Sequence, residues 1–120
     1  MGAQDQKIRH PFGAATRLAP AAAAAIELPI ANSLILVNIA VDQATELTAA
    51  IEEGVHDGAF VIIRVAQDAT GRAVTLGAGF AANDLGITGV ANDVDTIVCS
   101  YNATTGLLEV VSITKVVNAA

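Results

Sequence analysis

Hydrophobic residues in this chain fall in short runs separated by Gly, Asn and Asp. The run Leu34-Ile35-Leu36-Val37-Asn38-Ile39-Ala40-Val41 is β-branched, apolar on both faces and flanked by turn formers, which predicts a strand. Asp42-Gln43-Ala44 then reads as a turn. Thr45–Ile51 alternates, with Leu47, Ala49 and Ile51 on one side. Its composition would also permit a helix through Glu53, but the alternation and the strands on either side favour β. After the acidic loop 52–58, Phe60–Ala66 predicts a strand, and Arg72–Leu76 reads as its hairpin partner, with Val74 and Leu76 on one face. Val94–Tyr101 and Leu107–Lys115 read as a last hairpin in which Ile97, Cys99 and Tyr101 oppose residues such as Leu108 and Val110. The connecting segments Asp68-Ala69-Thr70-Gly71 and Asn102-Ala103-Thr104-Thr105-Gly106 share one chemistry. Each opens on a side chain that can bond the backbone just ahead, and each closes on a Gly that tolerates positive φ. Residues 81–93 are the longest irregular passage, with a short strand at Ile87–Val90. Ala22 to Leu28 is either a helical turn or the first extended segment, and the strand at Leu34–Val41 favours the second. Seven or eight short strands joined by tight turns predict an all-β domain, a β-sandwich of jelly-roll-like type.

Composition changes this picture in two ways. Hydrophobic residues make up 53% of the chain and charged residues 15%, where roughly 25% charged is usual for a soluble domain. A surface this poor in charge is expected where other subunits cover part of it. The charge is also uneven. Residues 1–17 hold Lys7, Arg9 and Arg17 against Asp5, a balance of +2, whereas residues 18–120 hold Arg64, Arg72 and Lys115 against eleven acids, a balance of −8. The chain therefore divides into an extended basic N-terminal arm, residues 1–19, broken by Pro11, Gly13 and Pro20, and a β-sandwich domain, residues 20–120. Such an arm can dock on an acidic neighbour, with Lys7, Arg9, Phe12 and Arg17 as its contact residues. The net charge of −6 disfavours nucleic acid as a partner. No run approaches the roughly 20 apolar residues of a membrane-spanning helix.

Candidate chemistry is sparse. Asn83, Asp84, Asn92 and Asp93 could offer oxygens to a ligand, but their spacing matches no dedicated cation motif. His10 and His56 stand far apart with no Cys or paired carboxylates at ligand spacing, so no metal or cofactor is expected. Cys99 is the only cysteine. It sits mid-strand without a basic neighbour, where a buried, inert thiol is the default. Ser33, Ser100 and Ser112 lack a nucleophile-elbow context, and Gly77-Ala78-Gly79 lacks the third Gly of a nucleotide loop. The expectation is a chain that is not an enzyme.

Residues 61–80 (VIIRVAQDATGRAVTLGAGF) and 95–106 (DTIVCSYNATTG) resemble β-domains of tailed-bacteriophage virion proteins of the head-decoration, head-fibre and tail-fibre types. The likeness covers residues 58–113. It is carried by a strand, a Gln-Asp-Ala-Thr-Gly turn, a Val-Thr-Leu-Gly-x-Gly-Phe strand end and a late strand into a second turn. It implies a non-enzymatic structural subunit that forms homo-oligomers, commonly trimers, and is located in the virion after assembly in the host cytoplasm. The likeness covers about half of the chain, and because the module is essentially the whole protein behind a short arm, it implies a capsid decoration subunit that contacts other virion proteins, such as the major capsid protein, through its arm. The alternative is a tail-fibre module binding a receptor or glycan through Asn83, Asp84, Asn92 and Asp93.

Overall fold

The computed structural model describes residues 15–81 and 86–116. Among them are nine strands and no helix: β1 (Thr16–Leu18), β2 (Ala25–Ile30), β3 (Leu34–Ala40), β4 (Thr45–Ile51), β5 (Phe60–Ala66), β6 (Val74–Leu76), β7 (Gly86–Ile87), β8 (Val94–Asn102) and β9 (Leu107–Val116). They form a five-stranded sheet, ordered β1-β3-β5-β8-β9, and a four-stranded sheet, ordered β2-β4-β6-β7.

The two sheets share one core, and the alternation along each strand dictates which side chains enter it. Ile26, Leu28 and Ile30 point inward from β2, Ile35, Val37 and Ile39 from β3, and Val61, Ile63 and Val65 from β5. Leu47, Val74 and Leu76 complete the four-stranded side, and Ile97, Cys99 and Leu108 the five-stranded side. The residues between them face outward, as a period of two requires. The segment at 22–28 runs into an extended strand rather than a helical turn, and Thr45–Ile51 is a strand with Ala49 and Ile51 packed against the core.

The path of the chain differs from a succession of hairpins. From β1 to β6 the strands alternate between the sheets, and each pairs in parallel with the strand two places on. Antiparallel pairing begins only later, in β6–β7, β5–β8 and β8–β9. This is not the all-antiparallel order that a jelly roll carries.

The parallel winding corrects one pairing. Arg72–Leu76 is not the hairpin partner of Phe60–Ala66; its strand, β6, lies in the other sheet beside β4. The turn itself forms as its residues predict. Asp68 Oδ1 accepts from the amides of Thr70 and Gly71, both at 3.0 Å, and Gly71 takes φ 81°. The next residue decides the direction. Gln67 Oε1 accepts from Arg72 N at 2.7 Å, and Gln67 Nε2 donates to Arg72 O at 3.1 Å. A side chain thus takes the backbone groups that a hairpin would give to β5. Thr45 N then bonds Ala73 O at 3.0 Å and sets β6 against β4. By contrast, the second turn does close a hairpin, with Tyr101 facing Leu108 and Cys99 facing Val110.

The short segment Gly77–Ala81 joins the sheets. Gly77 N donates to Leu47 O (2.8 Å) and Ala49 N to Ala78 O (2.9 Å), while Leu108 N donates to Gly79 O (2.9 Å) and Ala81 N to Leu108 O (2.7 Å). Gly79 has φ 91°, and a Cβ there would strike the carbonyl oxygen of Ala49, so both the conformation and the space call for glycine. This places Phe80, 2% exposed, in the core beside Leu108.

The division at residue 19 falls beyond the first strand. Thr16–Leu18, expected within the arm, pairs with β3 as the edge of the five-stranded sheet.

Candidate functional site

The outer face of the five-stranded sheet carries a group of large apolar side chains outside the core. Register aligns them in rows. Arg17, Leu36, Ile62, Val98 and Ser112 run across all five strands. Leu34, Phe60, Ser100 and Glu109 form the row on one side, and Asn38, Arg64, Thr96 and Thr114 the row on the other. Leu34, Leu36, Phe60, Ile62 and Val98 are therefore contiguous. Each shields its neighbours, so four are half-buried, but Phe60 is 40% exposed. Phe60 shares its face with Ile62 and Arg64, whereas Val61, Ile63 and Val65 fill the core. Beyond the row of Arg64 lies a shallow groove of about 390 Å³ over Ala40, Ala66 and Val94.

The outer face of the four-stranded sheet is different in kind. It presents Ala25, Glu27 and Pro29 from β2, Glu46, Thr48 and Ala50 from β4, and Thr75 from β6. These side chains are small, apart from two glutamates. Glu46 lies flat over Gly77, where a Cβ would come within 2.6 Å of its Oε2.

The sheet ends hold the polar loops. At one end, Gln67 is 7% exposed and also donates to Asp95 Oδ2 at 3.3 Å. Asp68 pairs with Arg72 at 3.0 Å. That hydrogen bond and the one from Thr70 N hold the Asp68 carboxyl below its ordinary value. Asn92, at φ 66°, donates its amide to Asp68 O (2.9 Å), and Asp93 O accepts from Gln67 N (2.9 Å). Asn92 and Asp93, expected at a ligand loop, thus bind the chain's own turn through their backbone, and the Asp93 side chain is buried. Asn83 and Asp84 lie outside the described residues, as do Lys7, Arg9 and Phe12 of the arm. Arg17 is exposed on the five-stranded face.

At the other end an open cavity of about 530 Å³ lies between residues 31–33 and 54–59. Asp57 Oδ1 accepts from Ala103 N at 2.8 Å and fastens this loop to the last turn. His56 is exposed, and its side chain has no bonded partner among the described residues. No protein-family model matches this chain, and no curated protein matches it. Among the described residues no three His, Cys, Asp or Glu side chains gather where a metal could bind, and no helix is long and apolar enough to cross a membrane.

Cys99 is buried at the centre of β8 between the levels of Val61 and Val110. Desolvation pushes its thiol up to about 12, so almost no thiolate exists at neutral pH. Native protein at pH 8 is expected to resist iodoacetamide at a rate set by unfolding, and to react at once in denaturant. Labelling as fast as that of a free thiol would contradict the burial. Because the folded pKa is the higher, stability should fall as pH rises from about 9 toward 12.

Residue types alone did not single out Arg64, Glu27, Glu46 or Gln67. The signal for Arg64 was present: a cation flanked by Ile63 and Val65 must face away from whatever those two enter.

Proposed function

We propose that this chain is a non-enzymatic structural subunit of a virion, a capsid decoration protein that associates with copies of itself and with the major capsid protein. The observation that carries the assembly part is the continuous apolar face of Leu34, Leu36, Phe60, Ile62 and Val98. The apolar residues lie on the three central strands, and the whole outer face, polar rows included, spans roughly 24 by 23 Å at ordinary strand spacings. That is about 550 Å² in projection, of the order of one side of a stable protein interface, ~800 Å² of accessible surface. The low charge content supports the same reading. The virion assignment rests on the resemblance of residues 58–113, which also implies three copies and docking through Lys7, Arg9, Phe12 and Arg17. The glycan-binding alternative draws less support, since the Asp93 side chain is buried.

Light scattering tests the assembly. The native mass is expected to exceed the 12.1 kDa of one chain. The double substitution Phe60→Asp/Ile62→Asp is expected to return it to that value, with the circular dichroism spectrum unchanged. A wild-type chain that stays at one copy at every concentration up to ~1 mM would remove the self-assembling subunit.

A further inference from the structure

The two outer faces complement each other in charge and in relief. The five-stranded face carries Arg17 and Arg64; its one acid among the described residues, Glu109, sits on the edge strand and accepts from Asn102 Nδ2 at 2.9 Å. The four-stranded face carries Glu27 and Glu46 and no cation among its described residues. None of Arg17, Arg64, Glu27 or Glu46 has an ion-pair partner among the described residues. The first face is raised by Leu36, Phe60 and Ile62; the second is flat, with Ala25, Thr48, Ala50 and Thr75.

We propose that the five-stranded face of one copy seats on the four-stranded face of a second copy, with Arg17 and Arg64 opposite Glu27 and Glu46. This rests on the reading of the chain as a self-assembling subunit and names the surfaces involved. Like-on-like pairing is disfavoured, since two five-stranded faces oppose Arg to Arg and two four-stranded faces oppose Glu to Glu; such juxtapositions select against the wrong geometry. Spacings agree. Register places the Cα atoms of Arg17 and Arg64 roughly 12 Å apart and those of Glu27 and Glu46 roughly 8 Å apart, a difference that an arginine side chain spans. Sheets pack face to face at about 10 Å, a gap these four side chains bridge.

The contact is heterologous, and its two surfaces look in opposite directions across the molecule. Repetition therefore adds copies in a row and does not close on three. This departs from the trimer that the resemblance implies.

Charge reversal on the full chain tests the proposal. Arg17→Glu/Arg64→Glu makes both faces acidic, and Glu27→Lys/Glu46→Lys makes both basic. Each double variant is expected to associate at least tenfold more weakly than wild type in light scattering at low salt. An equimolar mixture of the two is expected to co-assemble, and the fourfold variant carrying all the reversals to recover self-association. Wild-type mass is expected to rise with concentration and to fall as salt is added. Double variants that associate like wild type, or a particle fixed at three copies, would overturn these surfaces while leaving the self-assembling subunit in place. A wild-type monomer at every concentration would overturn both. All four positions are exposed, and unchanged circular dichroism identifies the variants in which the fold is retained.

Discussion

Phe80→Ala is expected to lower the unfolding free energy by about 3–5 kcal/mol, the range for removing a buried aromatic ring. Phe80 is among the largest fully buried side chains, and the one aromatic ring among the fully buried core residues described. The cavity cannot close easily. The segment carrying the ring is bonded to β4 through Leu47 O and Ala49 N and to β9 through both backbone groups of Leu108. A Cβ at Gly79 would strike the Ala49 carbonyl, so this segment runs close to the β4 backbone and has little room to shift that way. A domain of this size has about 5–15 kcal/mol in all, so the variant should unfold at a much lower urea concentration with an unchanged slope. Phe80→Leu should recover most of the loss. A cost under about 1 kcal/mol for the alanine variant would show that the segment follows the missing ring.

Gln67→Leu is the second large effect, about 3 kcal/mol. Volume is nearly conserved, so the cost is polar. The amide of Gln67 serves both backbone groups of Arg72 and a carboxylate oxygen of Asp95. Each buried group deprived of a partner costs about 1–3 kcal/mol. Leucine cannot be accommodated by relaxation toward Gly89 either, since that glycine packs against the end of the Gln67 side chain and the Arg72 carbonyl. Hydrogen exchange gives the specific readout. The Arg72 amide should lose its protection before the amides of β3 or β5 lose theirs. Undiminished protection at Arg72 would mean that the turn is held by something other than Gln67.

The strands were largely legible in the sequence, and their partners were not. Leu34–Ala40 and Phe60–Ala66 are runs of β-branched residues, and the β8–β9 hairpin carries its turn between two such runs. The extended state of Ala25–Ile30 is harder to see because alanine and proline mask the alternation of Ile26, Leu28 and Ile30. The pairing of β6 is hidden for a physical reason. An Asp-x-x-Gly turn satisfies its own backbone in the same way whether the chain turns back along its own sheet or crosses to the other. What separates the two outcomes is a buried glutamine and a strand twenty-nine residues earlier, Thr45 against Val74. The parallel winding also leaves no even repeat. Thr16 meets Ile35 and Leu34 meets Phe60, offsets of 19 and 26 residues. One trace of it is legible: β3 is apolar on both faces, as strands of parallel sheets often are. The faces proposed for self-association were half legible. Low charge pointed to a covered surface, but the segregation of Arg17 and Arg64 from Glu27 and Glu46 needs the assignment of strands to sheets.

That assignment has a further consequence. Between Thr16 and Leu76 the chain visits the two sheets in turn, so a cut at any connection from β2–β3 to β5–β6 divides both sheets at once. Neither sheet can be excised, grafted or melted as a block, because each strand's hydrogen-bonding neighbour lies on the far side of a strand belonging to the other layer. Turns such as 67–73 can open locally, but one sheet cannot open across this span while the other stays intact, so the strands from β2 to β6 are expected to show a common protection in native-state hydrogen exchange.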